Sequence, residues 1–305
     1  MTRHDSDPNG RPDTARRRAK HSVWPTTAVV AVVAGLLTAA MVLATHAQRP
    51  PASTLTTPPQ PARSEVLEDA IGPVVQPTAV PHIAPVVLAQ LPEATTDTII
   101  PAAPLDTDRT AGTDGAVVHN RAPIAVFDQP GGNPIARLPT VQAASSTWLP
   151  VIDRQPGWVR VLLPSQPNGA SGWLDATAVD AARTPYEIRA SVHTRTLTLV
   201  RDGAEIGRWS VAVGAAATPT PTGRTFLLAQ ITDPTQTFSP VILALGTHSA
   251  VLASYHGGPA TTALHTWPDH TVYGHAVSNG CLRVPTAALN ALTQVPLGTL
   301  VRIDP

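Results

Sequence analysis

Four patterns of apolar and polar positions succeed one another along the 305-residue chain. From Trp24 to Ala44 the run WPTTAVVAVVAGLLTAAMVLA carries no charge over 21 positions, close to the ~20 residues a helix needs to cross a hydrocarbon core. Residues 47–114 then hold twelve prolines and show no apolar period. Such a segment cannot bury enough apolar surface to offset its ordering entropy, and proline holds it extended, so it is predicted to be a semi-rigid spacer. Residues 115–182 alternate in short bursts broken by Gly, Pro and Asn, as in APIAVFDQPGGNPIARL and STWLPVIDRQPGWVRVLL. Strands of five or six residues between such turns indicate a small all-β barrel. Residues 183–305 are again strand-rich. There TLTLVRDGAEIGRWSVAVG reads as a hairpin whose Asp202-Gly203 supplies the positive φ angles of a two-residue turn. A short helix is expected within Pro285–Gln294, and a last strand over Thr299–Ile303. No long helical period occurs, so the fold class is mainly β.

Charge changes the picture at the N-terminus. The chain is neutral overall, with 21 basic and 21 acidic residues. Arg16-Arg17-Arg18-Ala19-Lys20 precedes the apolar run, which predicts a cytoplasmic tail (1–22), a transmembrane anchor (23–46) and an exported bulk facing the cell wall. The small residues around Thr45-His46-Ala47 leave a cleaved signal peptide as the alternative. No cysteine follows the run to carry lipid. The rest of the chain is slightly acidic and shows no basic stripe, so nucleic-acid binding is not expected. Lys20 is the only lysine, which removes Schiff-base chemistry from the folded part.

Cys281 is the only cysteine. In an oxidising compartment an unpaired thiol is either buried and inert or kept for its chemistry. Full ionisation of a thiol at pH 7 multiplies the attacking species roughly thirtyfold, about 2 kcal/mol. Acyl transfer needs more. Backbone donors aimed at a developing oxyanion supply about 3 to 4 kcal/mol each. Gly280 permits backbone conformations closed to other residues, so the amides of Asn279, Gly280 and Cys281 are expected to converge on one oxygen.

Three pieces of the C-terminal part resemble the L,D-transpeptidase catalytic domain, a family that cross-links peptidoglycan. Val213-Gly214 followed by Thr218-Pro219-Thr220-Pro221-Thr222-Gly223 is similar to its glycine and TPTPTG run. Ala263-Leu264-His265 resembles the strand that delivers its histidine. Ser278-Asn279-Gly280-Cys281-Leu282-Arg283 resembles its Ser-His-Gly-Cys-Ile-Arg signature, at a usual sixteen-residue step from His265. Upstream, GWVRV (157–161) and SGWL (171–174) resemble a bacterial SH3-like domain. The resemblances imply a membrane-anchored chain in which a small SH3-like β-barrel (115–182) precedes an L,D-transpeptidase-type β-sandwich (183–305).

The resemblance further implies Cys281 as nucleophile and His265 as proton acceptor and donor, oriented by the main-chain carbonyl of Thr266. Ser278, Asn279 and Gly280 would support the oxyanion. Asn279 stands where many members carry histidine, and Thr266 replaces a common glycine. Arg283 would organise the pocket or meet a substrate carboxylate, with a structural ion pair as the equal alternative. Tyr255, His256 and Trp267 are candidates for contacting the stem peptide, against ordinary packing or surface roles. Peptidoglycan stem peptides are the expected partners, and carbapenem-type β-lactams the expected inhibitors. The thioester could be intercepted by an acceptor amine to give 3→3 cross-links, by water in L,D-carboxypeptidase fashion, or by a protein amine. A non-catalytic wall-binding protein is the rival from another class. His265, His270 and His275 step by five, with His248 and His256 nearby. That spacing does not align side chains on one strand face and no HExxH helix is present, so neither a metal nor a cofactor is expected.

Overall fold

The computed structural model describes residues 62–63, 76–255 and 258–305. The expected cytoplasmic tail, the anchor and much of the Pro-rich segment lie outside them, as does His256. Among the described residues no helix is long and apolar enough to cross a membrane.

The first sheet is built from β1 (Ala116–Asn120), β2 (Ile124–Phe127), β3 (Pro134–Leu138), β4 (Trp148–Gln155), β5 (Trp158–Leu162), β6 (Ser171–Asp175) and β7 (Val179–Arg183). They run in the order β7-β1-β4-β5-β6-β2-β3, with Ala62–Arg63 paired outside β7. Short strands turn at glycines that take φ angles other residues resist: Gly157 between β4 and β5 has φ +79. One face carries Leu149, Val151, Val159, Val161 and Leu174 into a core, and a second cluster of Phe127, Trp158 and Trp173 closes the other.

The second sheet comprises β8 (Tyr186–Ser191), β9 (Thr196–Arg201), β10 (Ala204–Ser210), β12 (Gly223–Ile231), β13 (Ile242–His248), β14 (Thr261–His265), β16 (Leu282–Arg283) and β17 (Leu300–Asp304). Their order is β10-β9-β8-β17-β12-β13-β14-β16. Two short strands, β11 (Val213–Gly214) and β15 (Ala276–Ser278), pair in parallel beside it. The β9–β10 hairpin forms as its sequence predicts, with Asp202 at φ +50 and Gly203 at φ +79 and Arg201 opposite Ala204. Helix α2 (Thr286–Leu292) drops Ala288, Leu289 and Leu292 onto the sheet, among Ile188, Leu197, Leu227, Leu264 and Val301.

The two sheets share their cores. Phe226, Leu228, Ala229, Ala244 and Leu300 from the second sheet pack in one cluster with residues of the first sheet. Conversely, Val117, Trp148 and Ala182 of the first sheet join the cluster under α2.

The later part of the Pro-rich segment differs from a spacer. Ala94 and Arg137 exchange backbone bonds with Arg137 and Pro92 at 2.8 Å, and Ile100 donates to Gln166 O at 2.8 Å. Ala94, Ile100 and Ala103 are buried. Further on, Arg224 on β12 forms a two-pronged ion pair with Asp106, Nε to Oδ2 at 2.7 Å and Nη2 to Oδ1 at 2.6 Å. Proline lacks an amide but keeps its carbonyl, so a Pro-punctuated segment can still bond to backbone groups of the first sheet. Short helix α1 (Pro85–Gln90) buries nothing. Before it, Trp158 Nε1–H donates to Thr78 O at 2.8 Å.

Candidate active site

β14 ends on His265, and β16 runs parallel beside it with Leu264 opposite Leu282 and His265 opposite Arg283. The ladder continues as Val284 N–H donates to His265 O at 2.8 Å. Cys281 sits one residue before β16. The fold therefore sets the histidine and the thiol on neighbouring strands, and both line one cleft together with Ser278, Asn279, Gly280, Arg283, Phe238 and Trp267.

His265 is 6 % exposed, and its Nδ1 lies 2.8 Å from Thr266 O. A carbonyl only accepts, so Nδ1 carries the proton and Nε2 is left as the basic nitrogen. Thr266 is itself held at both ends: its amide donates to Ser239 Oγ at 3.0 Å and its hydroxyl to Phe238 O at 2.8 Å. The Phe238 ring meets the imidazole edge-on at 4.9 Å. Burial holds the imidazole pKa below its ordinary value; the Thr266 carbonyl pulls it up, and the Arg283 charge adds to the lowering. Cys281 is half-buried. Desolvation pushes its thiol above the usual thiol range, against the pull of the Ala263 main chain and the Arg283 charge. Both shifts disfavour charge, so the resting pair is a neutral thiol beside a neutral imidazole.

Gly280 has φ +116, which only glycine adopts without strain. An added Cβ would find its nearest neighbours, Pro219 O and Thr218 O, at 3.7 and 3.9 Å; backbone conformation, not space, demands glycine here. The expected convergence of three amides is altered in one respect: Gly280 N–H donates to Ser278 Oγ at 3.2 Å. Ser278 Oγ passes its own proton to Cys281 O at 2.6 Å. Arg283 lays its guanidinium carbon 3.7 Å from the centre of the Trp267 ring, a cation–π contact that joins two predicted residues on one wall. Tyr255 lies in a two-residue strand, Ser254–Tyr255, paired with Gly258–Pro259.

Two other histidines point elsewhere. His248 is buried, with Nε2 2.8 Å from Thr96 O, and His270 stacks on Tyr273 at 5.9 Å. Among the described residues, no group of three or more His, Cys, Asp or Glu is placed to hold a metal ion.

Four residues of the site carry roles that the sequence reading did not assign. Thr218 and Thr220 donate to Ser278 O and Gly280 O, each at 2.9 Å. Phe238 and Ser239, which brace the histidine, lie in a loop with no motif to mark them.

Residues 185–303 match the family profile described as YkuD, the L,D-transpeptidase catalytic domain. The chain is 30% identical over 126 residues to the "Putative L,D-transpeptidase YkuD" of Bacillus subtilis, covering 41% of this chain and 70% of that protein. A Bacillus licheniformis protein of the same name is 30% identical over 122 residues, 40% of this chain and 67% of that protein. Among solved structures, an L,D-transpeptidase from Mycobacterium tuberculosis aligns at 16% identity with a TM-score of 0.35, over 46% of this chain and 74% of that one. Another, L,D-transpeptidase 3 of the same organism carrying a faropenem-derived adduct, aligns at 15% identity with a TM-score of 0.34, over 46% and 75%. The cleft and the strands around it thus fall within the matched region, which defines an acyltransferase-type domain. The chain belongs to the YkuD family of L,D-transpeptidase catalytic domains.

Proposed function

We propose that this protein is a peptidoglycan L,D-transpeptidase working through a thioester on Cys281 to make 3→3 cross-links. The observation that carries the proposal is the shared cleft of His265, at the end of β14, and Cys281, just before the parallel β16, with Nδ1 committed to Thr266 O. Because the resting pair is neutral, Nε2 of His265 takes the thiol proton as sulfur attacks the carbonyl of the third residue of a donor tetrapeptide stem. General-base transfer in the transition state, rather than a standing thiolate, is the mode suited to a desolvated thiol. The tetrahedral oxyanion is held by main-chain amides of the Asn279–Cys281 turn. Its collapse breaks the bond to the terminal D-alanine, whose amine takes the proton from Nε2. An acceptor side-chain amine then attacks the thioester and loses its proton to Nε2; the C–S bond breaks, and Nε2 returns that proton to sulfur, restoring the thiol.

Arg283, steadied on Trp267, supplies positive charge beside the cleft for a stem carboxylate. Residues 23–46 are proposed as the membrane anchor, with the bulk outside the cytoplasm, and the first sheet is proposed to be an SH3-like barrel. Hydrolysis of the same thioester, giving an L,D-carboxypeptidase, differs only in the nucleophile that enters second. Product analysis on a disaccharide-tetrapeptide tests the reaction in one run: cross-linked dimer with released D-alanine is expected, and neither should form with Cys281→Ala. Binding of the substrate with no D-alanine released by wild-type protein would leave the wall-binding reading in its place.

A further inference from the structure

Two carbonyls of the loop that carries the nucleophile are held by threonine hydroxyls. Ser278 O accepts from Thr218 Oγ1 and from Ala215 N–H, both at 2.9 Å. Gly280 O accepts from Thr220 Oγ1 at 2.9 Å. Thr220 is 3 % exposed, and its oxygen accepts from Gly214 N–H at 2.8 Å, so its one proton is committed to Gly280. Behind these bonds the Thr218–Thr220 backbone passes so close to Gly214 that an added Cβ would stand 2.2 Å from Thr218 O.

A trans peptide unit is planar, with its C=O and N–H pointing to opposite sides. Drawing the carbonyl of Ser278 toward the threonines therefore turns the amide of Asn279 away from them. The same argument turns the amide of Cys281 away when Gly280 O is drawn to Thr220. Residues 278–281 line the cleft and Thr218 and Thr220 do not, so the side away from the threonines is the cleft side. Among the described residues, neither of these two amides donates to a protein acceptor. The Gly280 amide between them is withdrawn onto Ser278 Oγ.

We infer that Thr218 and Thr220 are positioning residues whose hydroxyls orient a two-donor anion site made of the Asn279 and Cys281 amides. The inference rests on the acyl-transfer reading and deepens it. The donors act on an oxygen only where a carbonyl is attacked, which gives the hydroxyls a signature that a purely structural role lacks. In acylation by a carbapenem the sulfur adds to the lactam carbonyl, the C–N bond opens, and the proton ends on the ring nitrogen; an oxyanion forms on the way. In alkylation by iodoacetamide the sulfur displaces iodide and no oxyanion forms.

The test compares the two rates, by intact-protein mass spectrometry, in wild type, Thr220→Val and Thr220→Ser. Removing an oxyanion donor outright costs roughly 100- to 1000-fold. Misaligning one is expected to lower carbapenem acylation about 10- to 100-fold in Thr220→Val, with alkylation within about twofold of wild type. Thr220→Ser, which keeps the hydroxyl, restores acylation. If Thr220→Val loses both reactions in equal proportion, or neither, the inference is overturned. Thr218→Val is read by the same ratio should Thr220→Val fail to fold. A wild-type protein that is alkylated but never acylated overturns the acyl-transfer reading, and this inference with it, which is a different result from a defect confined to the variant.

Discussion

Asp106 and Arg224 meet with their side chains 6 and 5 % exposed, and the strength of that contact can be worked from what each single change strands. The guanidinium reaches the carboxylate through two bonds, of 2.7 and 2.6 Å, and its other contact is a long one, to Ala111 O at 3.4 Å. Asp106→Leu removes both short bonds and the nearest counter-charge, leaving a largely buried cation whose remaining charge partner is Asp108. Breaking a buried pair from one side costs about 3–5 kcal/mol. Replacing both partners, Asp106→Leu with Arg224→Met, removes the stranded charge as well, and such swaps are often neutral. In a folded body of this size about 1 kcal/mol moves Tm by roughly 2–4 °C. Thermal melts followed by circular dichroism should therefore show the single variant about 6–20 °C below wild type and the double variant within about 4 °C of it. One transition is expected in every case, since the first and second sheets share apolar clusters. A double variant as unstable as the single one would refute the reasoning, because the loss would then lie in the contact itself rather than in an uncompensated charge.

Two further outcomes follow from the site. Burial raises the Cys281 thiol and lowers the His265 imidazole, so alkylation of Cys281 should climb with pH to a midpoint above the ~8.5 of free cysteine. The acid limb of kcat/KM on the tetrapeptide should fall below the ~6.5 of free histidine; a thiolate already formed at pH 6, seen as pH-independent alkylation above that point, would contradict a neutral pair. Gly214→Ala drives a Cβ to within 2.2 Å of Thr218 O and 2.4 Å of Thr220 N. Both are backbone atoms, so the loop must move, at about 1–3 kcal/mol; a variant with wild-type Tm and wild-type carbapenem acylation would show that this close approach does not matter.

The sequence made the local features legible and the non-local ones opaque. Asp202-Gly203 announced its hairpin because a two-residue turn is decided by the φ angles of those residues alone. The thiol and the imidazole were legible through motifs on either side of a usual spacing, and the structure sets both in one cleft. Proline content misread residues 76–114, because their order comes from partners far along the chain: Ile100 finds Gln166, Asp106 finds Arg224 and Thr78 finds Trp158. Composition reports how much apolar surface a segment owns, not whether a ready-made surface awaits it. Phe238 and Ser239 were invisible for the same reason, since their value lies in a contact with a histidine about 27 residues away.

The continuous core limits where the polypeptide can be cut. Family similarity begins at residue 185, but a fragment starting there would bare Phe226, Leu228, Ala229, Ala244 and Leu300, each 6 % exposed or less in the intact chain. Apolar faces larger than a few hundred Å² drive self-association. Homology and solvent exclusion thus draw the enzyme's border in different places, and a soluble catalytic fragment needs the first sheet to cover it.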